Sequence, residues 1–98
     1  RSEATWLPYW ENQDVISCVP STVKASIYSR REKGAMIIVS NLGSAPVEAT
    51  VTLNPQRLHL PDGERTVTDA LTGRGVPTAG PAITALLPPL AWNLLHVR

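Results

Sequence analysis

Apolar and polar residues alternate along most of the chain from Thr22 onward. Val23, Ala25 and Ile27 fall on one face of the first run, and Lys24, Ser26 and Tyr28 fall on the other. Successive side chains of a strand point to opposite faces, so Thr22 to Ser29 is predicted to be a half-buried strand. Glu32-Lys33-Gly34 then predicts a tight reversal, with Gly34 able to take positive φ. Ala35 to Asn41 is apolar on both faces, with Ile37, Ile38 and Val39 in succession; this pattern predicts a central strand covered on both sides. Val47 to Leu53 has the strictest alternation: Val47, Ala49, Val51 and Leu53 inward, Glu48, Thr50 and Thr52 outward. These two strands, joined through Leu42-Gly43-Ser44-Ala45-Pro46, are expected to form a hairpin.

The remaining segments are shorter. Asn54 to Gly63 reads as a connection with Leu58 and Leu60 in one helical turn, closed by Pro61-Asp62-Gly63. Arg65 to Ala70 reads as a modest strand. In the turn Asp69-Ala70-Leu71-Thr72-Gly73, the Asp69 carboxylate is expected to accept backbone N–H groups around Thr72 and Gly73. Arg74 to Pro81 reads as loop, and Ala82 to Leu87 and Leu90 to Val97 as the last two strands, joined at Pro88-Pro89 or Leu90-Ala91. Residues 1–20 follow a different rhythm. They carry Trp6, Tyr9 and Trp10 around Pro8, then a polar stretch from Glu11 to Asp14 and one short strand at Val15 to Val19. The chain therefore divides into an extended lead-in with an aromatic cluster, residues 1–20, and a β-sandwich, residues 21–98. No long segment has a helical period. The expected class is all-β: a two-sheet antiparallel β-sandwich of six to eight strands.

At 98 residues one domain with one core is expected. The nine prolines and six glycines fall mostly between the apolar segments, as in all-β chains. A formal net charge of +1, with both signs interspersed, argues against nucleic acid or an anionic membrane as partner. Arg30, Arg31 and Lys33 read as a solvated hairpin tip. Cys18, the single cysteine, excludes an internal disulfide and a thiolate-rich zinc site. No apolar run approaches the ~20 residues that a spanning helix needs. The chain begins at Arg1 rather than Met, which reads as a processed or excised piece.

Three stretches together resemble the C-terminal β-sandwich that follows the catalytic barrel in glycoside hydrolases of the α-amylase and α-galactosidase types. They are Gly34-Ala-Met-Ile-Ile-Val-Ser-Asn-Leu42 with Val47 to Leu53, the turn Asp69-Ala-Leu-Thr-Gly73, and Leu87-Pro-Pro-Leu-Ala-Trp-Asn-Leu-Leu95. The lead-in Trp6-Leu-Pro-Tyr-Trp10 is similar to that of bacterial glycoside-hydrolase-like proteins related to N-acetylgalactosaminidases. In that family the catalytic carboxylates sit on the barrel. The resemblance thus implies an accessory domain, not an enzyme by itself, whose partner is the catalytic domain of the same parent protein. It favours a secreted or periplasmic parent and implies no cofactor.

The residues agree with that implication. Glycoside cleavage needs two carboxylates roughly 5–9.5 Å apart flanking a bond. The acids here, among them Glu32, Glu48, Asp62, Glu64 and Asp69, fall on turns or a polar strand face, and Glu11 and Asp14 are adjacent only in sequence. His59 and His96 lie on separate elements, with no third ligand at a useful spacing for a metal. No G-x-S-x-G elbow occurs. Trp6, Tyr9 and Trp10 are the remaining candidates. Each ring can bury about 150–250 Å², so three exposed together would approach the ~300–600 Å² of a monomer's largest apolar patch. They are expected to pack within the chain or against the partner domain, with stacking on a sugar as the alternative. An autonomous carbohydrate-binding module and an immunoglobulin-like interaction domain are the competing readings.

Overall fold

The structure, a computed structural model, describes residues 4–10, 12, 14–30, 34–54, 56–57 and 66–98, with the side chains at 4, 5, 29 and 30 excepted. Among the described residues, nine strands run in chain order: β1 (Ala4–Leu7), β2 (Ile16–Val19), β3 (Val23–Arg30), β4 (Gly34–Asn41), β5 (Val47–Leu53), β6 (Val67–Asp69), β7 (Thr78–Ala79), β8 (Ala82–Leu87) and β9 (Trp92–Val97). They form two antiparallel sheets, one of five strands in the order β1-β3-β4-β9-β6 and one of four in the order β2-β5-β8-β7. The protein is an all-β sandwich.

The period-two pattern sets the core. Val23, Ala25 and Ile27 of β3, Ala35, Ile37 and Val39 of β4, and Leu95 and Val97 of β9 line the inner face of the larger sheet, all buried. Ala49, Val51 and Leu53 of β5 and Ile83, Ala85 and Leu87 of β8 face them from the smaller one. β3 and β4 pair directly, Arg30 opposite Gly34 and Val23 opposite Asn41. Gly34 has φ +88°, and a Cβ there would run into the Val97 carbonyl, so only glycine fits. The expected reversal at Glu32-Lys33 and the tip at Arg31 lie outside the described residues, as do His59, Leu58, Leu60 and Pro61-Asp62-Gly63.

The β4–β5 hairpin does not form. β4 already has neighbours on both edges, β3 and β9, whereas β5 pairs with β2 and β8 in the other sheet. Leu42 to Pro46 is therefore a crossover between sheets. The segment joining β8 to β9 is another crossover, with Leu90 at φ 57°. Alternation states which face of a strand is buried but not which strand lies beside it, so it is satisfied equally by a hairpin and by an arch.

Asn41, fully buried, ties the two crossovers together. Its Nδ2 donates to the carbonyls of Ala45 (2.8 Å), Leu87 (3.2 Å) and Pro88 (3.1 Å), and its Oδ1 accepts from Gly43 N (2.9 Å). Ala45 and Pro88 lie beyond the strand ends, where backbone groups must find partners outside the ladders; the Pro88 carbonyl also accepts from Ala91 N (3.2 Å).

Three smaller differences follow from edges. The lead-in contributes β1, which pairs with the second half of β3 (Leu7 opposite Ile27, Ala4 opposite Arg30), besides the strand expected near Val15 to Val19. Within the stretch read as loop, Thr78–Ala79 adds a two-residue strand to β8. The strand expected over Arg65 to Ala70 is confined to Val67–Asp69, with Arg65 outside the described residues. Short edge strands bury too little to impose a sequence period.

Candidate functional site

The lead-in residues occupy two places, not one cluster. Trp6 stands on the outer face of β1, opposite Tyr28 of β3. From Tyr28 the row continues across the sheet through Met36 and His96 to Thr68. Parallel rows hold Ser26, Ile38 and Leu94, and then Lys24, Ser40 and Trp92. The outer face of the five-stranded sheet thus sets Trp6, Tyr28, Met36, Ile38, Leu94 and Trp92 among the polar residues Lys24, Ser26, Ser40, Thr68 and His96. Trp6 is 50% exposed, Tyr28 42%, Ile38 37% and Trp92 55%. β4, expected to be covered on both sides, is covered on one only. Trp92 is sheet surface, and His96 shares its face, as its spacing from Trp92 and Leu94 implied.

Tyr9 and Trp10 lie beyond the end of β1, beside the part of β3 that β1 leaves unpaired. Tyr9 N donates to Ser26 Oγ (3.1 Å), and the Tyr9 and Trp10 rings meet edge to face, 5.2 Å between centroids with planes at 85°. Asn12 holds this segment down. Its buried amide donates to Leu7 O (3.1 Å) and Ala25 O (2.8 Å), and its own carbonyl accepts from Val15 N (2.9 Å) and Ile16 N (3.0 Å). A cleft of ≈ 320 Å³ opens there between β3 and β2, lined by Tyr9, Trp10, Asn12, Ser17, Cys18 and Lys24 among others. Burial pushes the Cys18 thiol up from its ordinary pKa, and the Lys24 ammonium partly offsets this.

On the opposite side of the sandwich, a hollow of ≈ 740 Å³ is lined by residues including Glu48, Asp69, Arg74, Asn93 and Leu95. Asp69 is occupied in its turn. Its Oδ1 accepts from Leu71 N (2.8 Å) and Thr72 N (3.1 Å), whereas the Gly73 amide goes to the Asp69 backbone carbonyl (2.7 Å). Thr72 Oγ1 accepts from Arg74 N (3.2 Å), and Gly73 has φ +77°. The carboxylate thus reaches one residue earlier than the spacing suggested. Asp14 forms an exposed ion pair with Arg57 (3.3 Å); Glu11 is outside the described residues. Among the described residues, no three His, Cys, Asp or Glu side chains gather where they could share a metal ion.

Sequence reasoning passed over two buried polar residues that organise these regions, Asn12 and Asn41. Asn41 sits in the Val39-Ser-Asn41 end of the resembling motif, a signal present in the sequence. Asn12 sits in a polar stretch with nothing to mark it as buried.

No protein-family model matches the chain, and no curated protein does. Among solved structures, the crystal structure of AmyP in complex with maltose superimposes with a TM-score of 0.55 at 21% identity, over 76% of this chain and 14% of AmyP. The likeness is one of fold, and the matched region is a small part of the longer protein.

Proposed function

We propose that this chain is a non-catalytic accessory β-sandwich of a carbohydrate-active enzyme, docked on the catalytic domain of the same polypeptide. The observation that carries the reading is the set of exposed apolar residues on the outer face of the five-stranded sheet. Its central strand has the sequence of a strand covered on both sides, yet Ile38 faces outward uncovered between Ser26 and Leu94, with Trp6, Tyr28 and Trp92 around it. A contiguous exposed surface of this kind marks an interaction site, and a low density of charge is usual at the centre of a lasting interface. Lys24 and His96 stand on the same face, and Arg98 extends the β9 row at its rim.

The choice of partner rests on two supports. The first is the resemblance of the core strands, the Asp69 turn and the Leu87 to Leu95 stretch to the sandwich that follows a glycoside hydrolase barrel. The second is AmyP, solved with maltose, in which the matching fold occupies 14% of a longer chain.

The test is Ile38→Lys with Trp92→Lys in the full-length protein and in the chain alone. Both positions point away from the core, so the chain alone should keep its unfolding free energy within about 1 kcal/mol, about 0.5 kcal/mol for each surface substitution. The full-length protein should lose thermal stability and be cut by protease between the domains. A full-length protein indifferent to both substitutions, or a reading frame encoding no catalytic domain beside this one, would overturn the proposal.

A further inference from the structure

We infer that the cleft at the β2–β3 edge is a subsite for one pyranose unit of a glycan, with Trp10 as its stacking platform. The inference goes beyond the docking role and concerns the cleft that adjoins the docking face, with Lys24 and Ser26 at the boundary of the two. The docking face is the broad side of the five-stranded sheet, and the cleft opens at the lateral edge where that sheet meets the smaller one.

Four observations carry it. The cleft measures ≈ 320 Å³, at the small end of ligand pockets and enough for a single ring with its hydroxyls. Trp10 is 63% exposed, and Tyr9 meets it at 85°, so one ring buttresses the other and leaves an aromatic surface presented to solvent. The segment bearing both rings is clamped by the buried Asn12 amide on Leu7 O and Ala25 O and by Tyr9 N on Ser26 Oγ. Aromatics held this way lose little freedom on binding. Finally, the walls offer polar groups suited to hydroxyls: Ser17 and Lys24 side chains, and the backbone of β2, an edge strand with one side unpaired in the sheet.

A pyranose matches this set. Its axial C–H face packs on an aromatic plane, and its equatorial hydroxyls point sideways toward donors and acceptors. A flat aromatic ligand would leave the surrounding polar groups unpaired. Among the described residues, Lys24 is the charged side chain on the wall, and its ammonium group can donate to sugar hydroxyls.

The test is a titration of the 98-residue chain with maltohexaose, cellohexaose and N-acetyl-chitohexaose, read by tryptophan fluorescence and by NMR shifts of the indole N–H groups. At least one sugar should give a saturable change at the Trp10 indole with a millimolar or tighter Kd. Trp10→Ala should weaken it at least tenfold, and Trp6→Ala should leave it unchanged. No saturable change with any of the three at about 10 mM overturns the subsite, and so does equal loss in Trp6→Ala and Trp10→Ala. The docking reading is tested at Ile38 and Trp92 and survives either failure.

Discussion

At Asn41 a single side chain ties the β4–β5 crossover to the β8–β9 crossover. Its two N–H groups are shared among three carbonyls while its oxygen takes the Gly43 amide. Removing it leaves buried groups unpaired, each worth about 1–3 kcal/mol. Asn41→Ala should therefore lower stability by about 2–4 kcal/mol in urea denaturation; a loss under about 1 kcal/mol would mean that water replaces the bonds. Asp69 works in the open, holding two exposed amides. Asp69→Ala should cost about 1–2 kcal/mol, the scale of losing a charge-assisted bond, and an unchanged denaturation midpoint would contradict it. Cys18 carries a pH effect. Its folded pKa is raised by burial, so above the ordinary thiol value of ~8.5 the unfolded chain releases its proton first. This contribution to stability is present below that pH and lost as pH rises through the folded value. Denaturation midpoints should fall more between pH 8 and 10 for the protein than for Cys18→Ala.

At the scale of elements, the β3–β4 pair depends on Gly34 for two reasons, positive φ and the nearby Val97 carbonyl. Gly73 depends on φ alone, with open space around it. Gly34→Ala should therefore cost more than Gly73→Ala, which should stay near the ~1–2 kcal/mol of a left-handed alanine. Equal losses in parallel thermal melts would show that the β9 carbonyl yields freely. The faces of β3 and β5 were legible from alternation because a buried sheet face admits little else, whereas β4, apolar on both faces, did not reveal which one is buried. The partners of β4 and β5 were not legible, since both the hairpin and the arch bury the same residues. β1 was missed for a related reason: Ala4–Leu7 is an edge strand of four residues, too short to show a period.

Across the whole molecule, the two sheets bury one face each and leave Trp6, Tyr28, Ile38 and Trp92 exposed on the outer face of the larger sheet. Three surfaces are then separable: the broad face around Ile38, the aromatic cleft at one edge, and the hollow beside Asp69 at the other. The lead-in tryptophans were visible as an anomaly in the sequence, but they read as one cluster. Their division between face and edge depends on where β1 stops along β3, since Trp6 is paired and Tyr9 and Trp10 fall just beyond the pairing.

By itself the sequence determined that the protein is all-β, which faces of β3 and β5 line its core, and that a polar turn begins at Asp69. These are consequences of local geometry, a two-residue side-chain period and a short carboxylate within reach of nearby amides. Only the tertiary structure decided that β4 and β5 lie in opposite sheets, that Asn41 and Asn12 are buried, and that Ile38 faces outward. Each of these depends on which distant segment occupies a strand's edge or covers its face, and residues close in sequence carry no record of that.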